Sequence, residues 1–165
     1  MIAWLDGLNR QLLAAYNTRI LGGFHEPFYR APVDNLPAEI RFAHDHERSA
    51  LHELAHWCVA GSDRRRQDDY GYWYAPDGRD AAQQQLFFRV EIKPQAIEKH
   101  FCMALGLPFE VSVDNLDNPC VSGLAEFSRS VDALFDNYAV TGLPARAAAI
   151  AVYLEAWHMD PIYNL

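Results

Sequence analysis

Two histidines four residues apart on a buried helix leave a chain little freedom, and the stretch His52-Glu53-Leu54-Ala55-His56 has that form. Side chains at i and i+4 lie on one helix face with Cβ atoms roughly 6 Å apart, near enough for both imidazoles to meet one divalent cation. Leu51, Leu54, Ala55, Cys58 and Val59 fill the other positions with apolar groups, so the helix is expected to be largely buried. A buried neutral imidazole needs a hydrogen-bond partner, and for either histidine alone a backbone partner would suffice. Two of them flanking a glutamate favour a shared metal, and the fold must then bring a third ligand and a cavity to this helix.

A catalytic metal held by two histidines usually takes a carboxylate as third protein ligand and keeps a position open. Glu91 fits best, because it stands between Val90 and Ile92 in an apolar run where an unpaired carboxylate is costly to bury. A salt bridge to a basic residue is its competing use. His44, Asp45 and His46, just before the helix, are rival donors. The reaction stays open at this level. With zinc and Glu53 as general base the set describes a peptidase that activates water. With Fe(II) and open cis positions it is a facial triad that binds dioxygen. In an oxygenase Glu53 has no water to activate, and would orient a ligand, bind a cation or relay a proton.

At 165 residues and 50% hydrophobic, the chain suits one domain spanning 1–165. It has no run of eighteen apolar residues and no basic, then apolar, leader at its start, so the expectation is a cytoplasmic protein without membrane association. A formal charge of −8 argues against binding nucleic acid through its phosphates. The basic run Arg64-Arg65-Arg66 is answered by Asp63, Asp68 and Asp69 and reads as a solvated loop. Cys58, Cys102 and Cys120 do not suggest a disulfide framework, and the first two read as small core residues.

Periodicity predicts an amphipathic helix from Ile2 to about Tyr16, ended by Asn17 or by Gly22-Gly23. Three prolines break the segment from Phe24 to Pro37, leaving Phe28-Tyr29-Arg30-Ala31 as a short extended piece. Glu39 to Ala43 alternates like a strand, His44-Asp45-His46 turns, and Glu47 to about Ala60 forms the central helix, stopped by Gly61. Residues Ser62 to Asp80 have no sustained period and carry a dense aromatic patch, Tyr70 to Tyr74. Helical residues follow from about Arg79 to Gly106, with Pro94 expected to kink or split the helix near Glu91 to Lys93. Phe109 to Val113 is a candidate strand, and helices at about Leu124–Tyr138 and Pro144–Trp157 close the chain. The fold class is therefore α+β, predominantly helical with a small sheet.

Four blocks carry a more specific signal: Phe42-Ala43-His44, Ser49 to Gly61, Gly71 to Asp80, and Val90-Glu91-Ile92-Lys93-Pro94-Gln95-Ala96. In this order and spacing they resemble the bacterial elongation factor P hydroxylases over most of the chain. The resemblance implies an iron-dependent hydroxylase, using Fe(II) and dioxygen, that acts on the β-lysyl-modified lysine of translation elongation factor P. It implies a metallopeptidase-like (zincin-like) core around the His52–His56 helix, with His52, His56 and Glu91 as metal ligands and Glu53 in the position that would be catalytic in a peptidase. The chain departs from the family pattern after His44, where it has Asp45-His46-Glu47-Arg48. For a substrate bearing ammonium groups, the faces of Tyr72, Trp73 and Tyr74 offer about 0.5–2 kcal/mol each. Asp77 and Asp80 would supply countercharge. A small zinc peptidase and a translation-associated adaptor with a structural metal are the alternatives.

Overall fold

The N-terminal amphipathic segment is shorter than its periodicity suggests. In the computed structural model, which describes residues 2–72, 80–113 and 123–160, α1 spans Leu5–Gln11 and gives way to a 3-10 turn, Leu13–Tyr16. Asn17, in the left-handed region at φ 48°, ends it. The chain then enters a strand that the diglycine concealed, β1 (Thr18–Phe24). Gly22 is required there: a Cβ at this position would lie 2.4 Å from Cζ of the fully buried Phe42.

Strands β2 (Phe28–Arg30) and β3 (Ala38–Ala43) complete a sheet of order β1-β3-β2, with β1 parallel and β2 antiparallel to β3. Ile20, Ile40 and Phe42 turn into the core. Glu39 is buried as well, contrary to the simple alternation expected of it, because Arg19, Arg30 and Arg41 all bond its carboxylate. Side-chain hydrogen bonds from Arg30, joined by those from Arg19 and Arg41, overcome the cost of burial and hold that carboxyl down at about 2.

The turn after β3 leads directly into α2 (Glu47–Val59), the two-histidine helix. Its first turn is tied to α1 by Trp4 Nε1, which donates to Glu47 at 2.6 Å. At its far end Arg146 donates to the carbonyls of Trp57, Cys58 and Ala60, groups a helix C-terminus leaves without internal partners. Leu51, Leu54, Ala55 and Trp57 are fully buried, as the apolar pattern requires.

α3 (Ala81–Ala104) runs through Pro94 as one helix and is not split as expected. Burial on both sides of the proline, through Glu91, Gln95, Ala96 and Ile97, holds the segment together where local propensity would break it. α4 (Leu124–Thr141) packs on α3 through a separate cluster of Phe88, Ala96, Phe127 and Val131, and α5 (Ala145–Met159) returns to the main core with Ala147, Ile150 and Leu154. Residues Phe109 to Val113 form no strand. They lie along α3 instead, where Gln95 exchanges two hydrogen bonds with the Ser112 backbone in place of a ladder.

In the Arg64-Arg65-Arg66 segment Arg64 and Arg66 are exposed, as expected of a solvated loop, while the half-buried Arg65 and the neighbouring aspartates dock it. Arg65 donates to the Ala60 carbonyl, while Asp68 and Asp69 accept from the backbone amides of Ala31 and Tyr29. Cys58 and Cys102 are buried free thiols, and burial pushes them up to about 12 and about 11; Cys120 lies outside the described residues. Among the described residues the class is α+β and mostly helical, and no helix is long and apolar enough to cross a membrane.

Candidate metal centre

α2 and α3 pack against each other and bring three donors to one point. His52 and His56, one helical turn apart, place their Nε2 atoms 3.1 Å from each other. Glu91 of α3 lies between them, with Oε1 3.0 Å from His56 Nε2 and Oε2 3.7 Å from His52 Nε2. Bonds of about 2.1 Å to one ion, at tetrahedral or octahedral angles, separate neighbouring donors by about 3.0–3.4 Å. The triad has nearly that spacing, and these three residues are the group among those described that could hold a metal ion. Glu91 is 3% exposed, whereas the His52 and His56 side chains are 25% and 14% exposed, so the site is anchored on a buried carboxylate and open on its imidazole side.

A further layer fixes these ligands. Gln95, one turn after Glu91, donates to it at 3.1 Å. Glu98, two turns after Glu91 and buried, places Oε2 2.8 Å from His52 Nδ1 and accepts from Arg48 at 2.7 Å. With Nδ1 engaged by a carboxylate, the His52 lone pair is directed to Nε2, the atom that faces Glu91 and His56. The sequence reading missed Glu98 and Arg48. Their signal was spacing: Glu98 follows Glu91 by seven residues on one helix face, and Arg48 precedes His52 by four.

Carboxylates set the electrostatics around the three donors. Burial pulls the His52 imidazole down, but its hydrogen bond to Glu98 and the charges of Glu91, Glu98 and Glu53 raise it to about 10. Burial pushes Glu91 up, and the charge and hydrogen bond of His56, with His52 and Gln95, bring it down to about 2. Glu53, on the same helix, is raised above the ordinary carboxyl range, chiefly by burial. Positive charge is thus held among three carboxylates at the place where the donors converge.

The other expected site residues are distributed around this centre. Tyr72 is half-buried with the Arg64 guanidinium 4.1 Å from its ring centroid. Asp80 caps α3, accepting from the Gln83 amide while the Gln83 side chain accepts from the Asp80 amide. Trp73, Tyr74 and Asp77 lie outside the described residues. The rival donors His44, Asp45 and His46 are exposed at the turn, where His44 has the rings of His25 and His46 as neighbours, and they do not join the triad.

Comparison with known proteins bears directly on this arrangement. Residues 8–164 match the family model described as elongation factor P hydroxylase. The chain is also similar to the elongation factor P lysine hydroxylase of Haemophilus influenzae, with 43% identity over 145 residues, covering 87% of this chain and 80% of that protein.

Proposed function

The chain belongs to the elongation factor P hydroxylase family, and on that premise we propose that it is an iron-dependent protein-lysine hydroxylase whose substrate is elongation factor P carrying a β-lysyl-modified lysine. The observation that carries the reading is the convergence of His52, His56 and Glu91 on one partly exposed point. Two imidazoles and one carboxylate with free positions are the donor set of non-haem Fe(II) oxygenases, and the ion, when bound, supplies dioxygen activation. Neither comparison favours a peptidase or an adaptor.

The residues of the chain then divide the remaining work. Gln95 orients Glu91, and Glu98 with Arg48 orients His52. Glu53 is the catalytic carboxyl beside the ligands, and its raised affinity for a proton suits it to hold one there and pass it on. The stretch from Tyr72 to Asp80 binds the cationic substrate side chain: Tyr72, Trp73 and Tyr74 offer aromatic faces, and Asp77 and Asp80 offer countercharge. In support, the Tyr72 face already accepts the Arg64 cation. The reading places one catalytic domain over residues 1–165 with a zincin-like core, acting in the cytoplasm where translation takes place.

His56→Ala tests the assignment. It should abolish hydroxylation of lysyl-modified elongation factor P while leaving binding of that protein, followed by calorimetry, within about twofold. Retained hydroxylation would remove His56 from the metal site.

A further inference from the structure

The segment after α3 alternates like a strand but joins no sheet among the described residues. Phe109, Val111 and Val113 are half-buried against the cluster between α3 and α4, whereas Glu110 and Ser112 are exposed. Two side chains hold its main chain instead. Gln95, fully buried on α3, donates to the Ser112 carbonyl at 2.7 Å and accepts from the Ser112 amide at 2.9 Å. Arg48 of α2 donates to the Glu110 carbonyl at 2.9 Å, and its guanidinium lies 5.2 Å from the Phe109 ring centroid.

These same two side chains reach the metal ligands. Gln95 donates to Glu91 at 3.1 Å, and Arg48 donates to Glu98, the carboxylate behind His52. A side-chain amide is not symmetric, because its nitrogen only donates and its oxygen only accepts. Turned over, Gln95 would set its oxygen against the Glu91 carboxylate and the Ser112 carbonyl, and its nitrogen against the Ser112 N–H. The Ser112 main chain therefore admits one orientation of the amide, the one that presents an N–H to Glu91. Packing does not ask for an amide at position 95. Val111 and Val113 already seat the segment on an apolar cluster, and a buried amide must first lose its water.

We propose that residues 109–113 act as a positioning strap for the metal centre. The Ser112 main chain, through Gln95, sets the orientation of the Glu91 carboxylate, and the Glu110 carbonyl, through Arg48, steadies the support of His52. The side chain of Ser112 takes no part. The inference deepens the hydroxylase reading and rests on its ligand set.

Zinc affinity of the full chain, by chelator competition, tests the strap. Ser112→Pro removes the N–H that holds the Gln95 oxygen, while Ser112→Ala keeps it. Ser112→Pro should bind zinc about tenfold more weakly than wild type, the loss typical when a partner that orients a ligand is removed, and Ser112→Ala should stay within twofold. Gln95→Met, of similar volume but without the amide, should lose as much, and the double variant no more than either alone. If Ser112→Pro does not fold, Gln95→Met carries the test. Wild-type affinity in a folded Ser112→Pro or Gln95→Met, even with a lowered metal-free melting temperature, would overturn the proposal, as would additive losses in the double variant. Zinc bound by His52→Ala as tightly as by wild type would overturn the ligand set and the strap together. The tenfold losses beside a wild type that leaves elongation factor P unmodified would support the strap and overturn the hydroxylase reading.

Discussion

Glu98 Oε2 lies 2.8 Å from His52 Nδ1, and the other oxygen of the same carboxylate accepts from Arg48 at 2.7 Å. One buried acid therefore holds the first histidine of the motif from behind. Partners of this kind typically contribute 10- to 100-fold in metal affinity by fixing the ring and its tautomer. Glu98→Gln keeps the volume but weakens the acceptor, and should lose about tenfold or more in zinc affinity by chelator competition. A folded variant with unchanged affinity would show that His52 needs no such support.

Arg146 holds the C-terminal end of α2 by donating to the carbonyls of Trp57, Cys58 and Ala60, while its guanidinium lies 4.7 Å from the Trp57 ring centroid. Arg146→Ala should cost about 2 kcal/mol in urea unfolding, given the strength of charged hydrogen bonds. Arg146→Lys should recover less than half of it, since an ammonium lacks the planar fork.

Gly22 of β1 faces Phe42 of β3 so closely that an added methyl would lie 2.4 Å from Cζ and 2.6 Å from Asp45 Oδ1. Phe42 is fully buried and has no room to withdraw. Gly22→Ala should destabilise by about 1–3 kcal/mol through overpacking. Gly61→Ala, which meets nothing within 4 Å, is the matched control and should be near neutral.

Glu39 makes stability depend on acid. Its carboxyl is held at about 2 in the fold, against 4.5 for the unperturbed group, chiefly by hydrogen bonds from its arginines. A lowered folded value stabilises above pH 4.5, and that contribution fades as pH falls from there to about 2. A tenfold change in proton affinity is worth about 1.4 kcal/mol, so the contribution is on the order of 3 kcal/mol at pH 7. Glu39→Gln should be less stable than wild type at pH 7, and the gap in urea unfolding should close as pH falls toward 2. A gap independent of pH would contradict this.

What was legible beforehand follows from how local each signal is. His52 and His56 carry their geometry in their spacing, and Glu91 was conspicuous as a carboxylate in an apolar run, so the triad could be drawn before the fold was known. Glu39 and Glu98 are buried as well, but apart from Arg41, two residues from Glu39, their partners come from other strands and from another helix, so no short window contains the full set that makes either burial possible. β1 was hidden because Gly22-Gly23 reads as a stop, whereas Gly22 is there to admit Phe42. Pro94 shows the converse: a strong local breaker was overruled by burial on both sides of it.

On the proposed function His52, His56 and Glu91 hold an iron that serves hydroxylation of elongation factor P. Intact-mass measurement of lysyl-modified elongation factor P, after incubation with this protein, Fe(II), a reductant and isotopically labelled dioxygen, tests it most directly. A zinc-loaded sample and His52→Ala serve as controls. Iron with intact His52 should give a gain of one labelled oxygen atom, and neither control should give any. No gain in a folded, iron-occupied sample, or an equal gain with zinc, would contradict it.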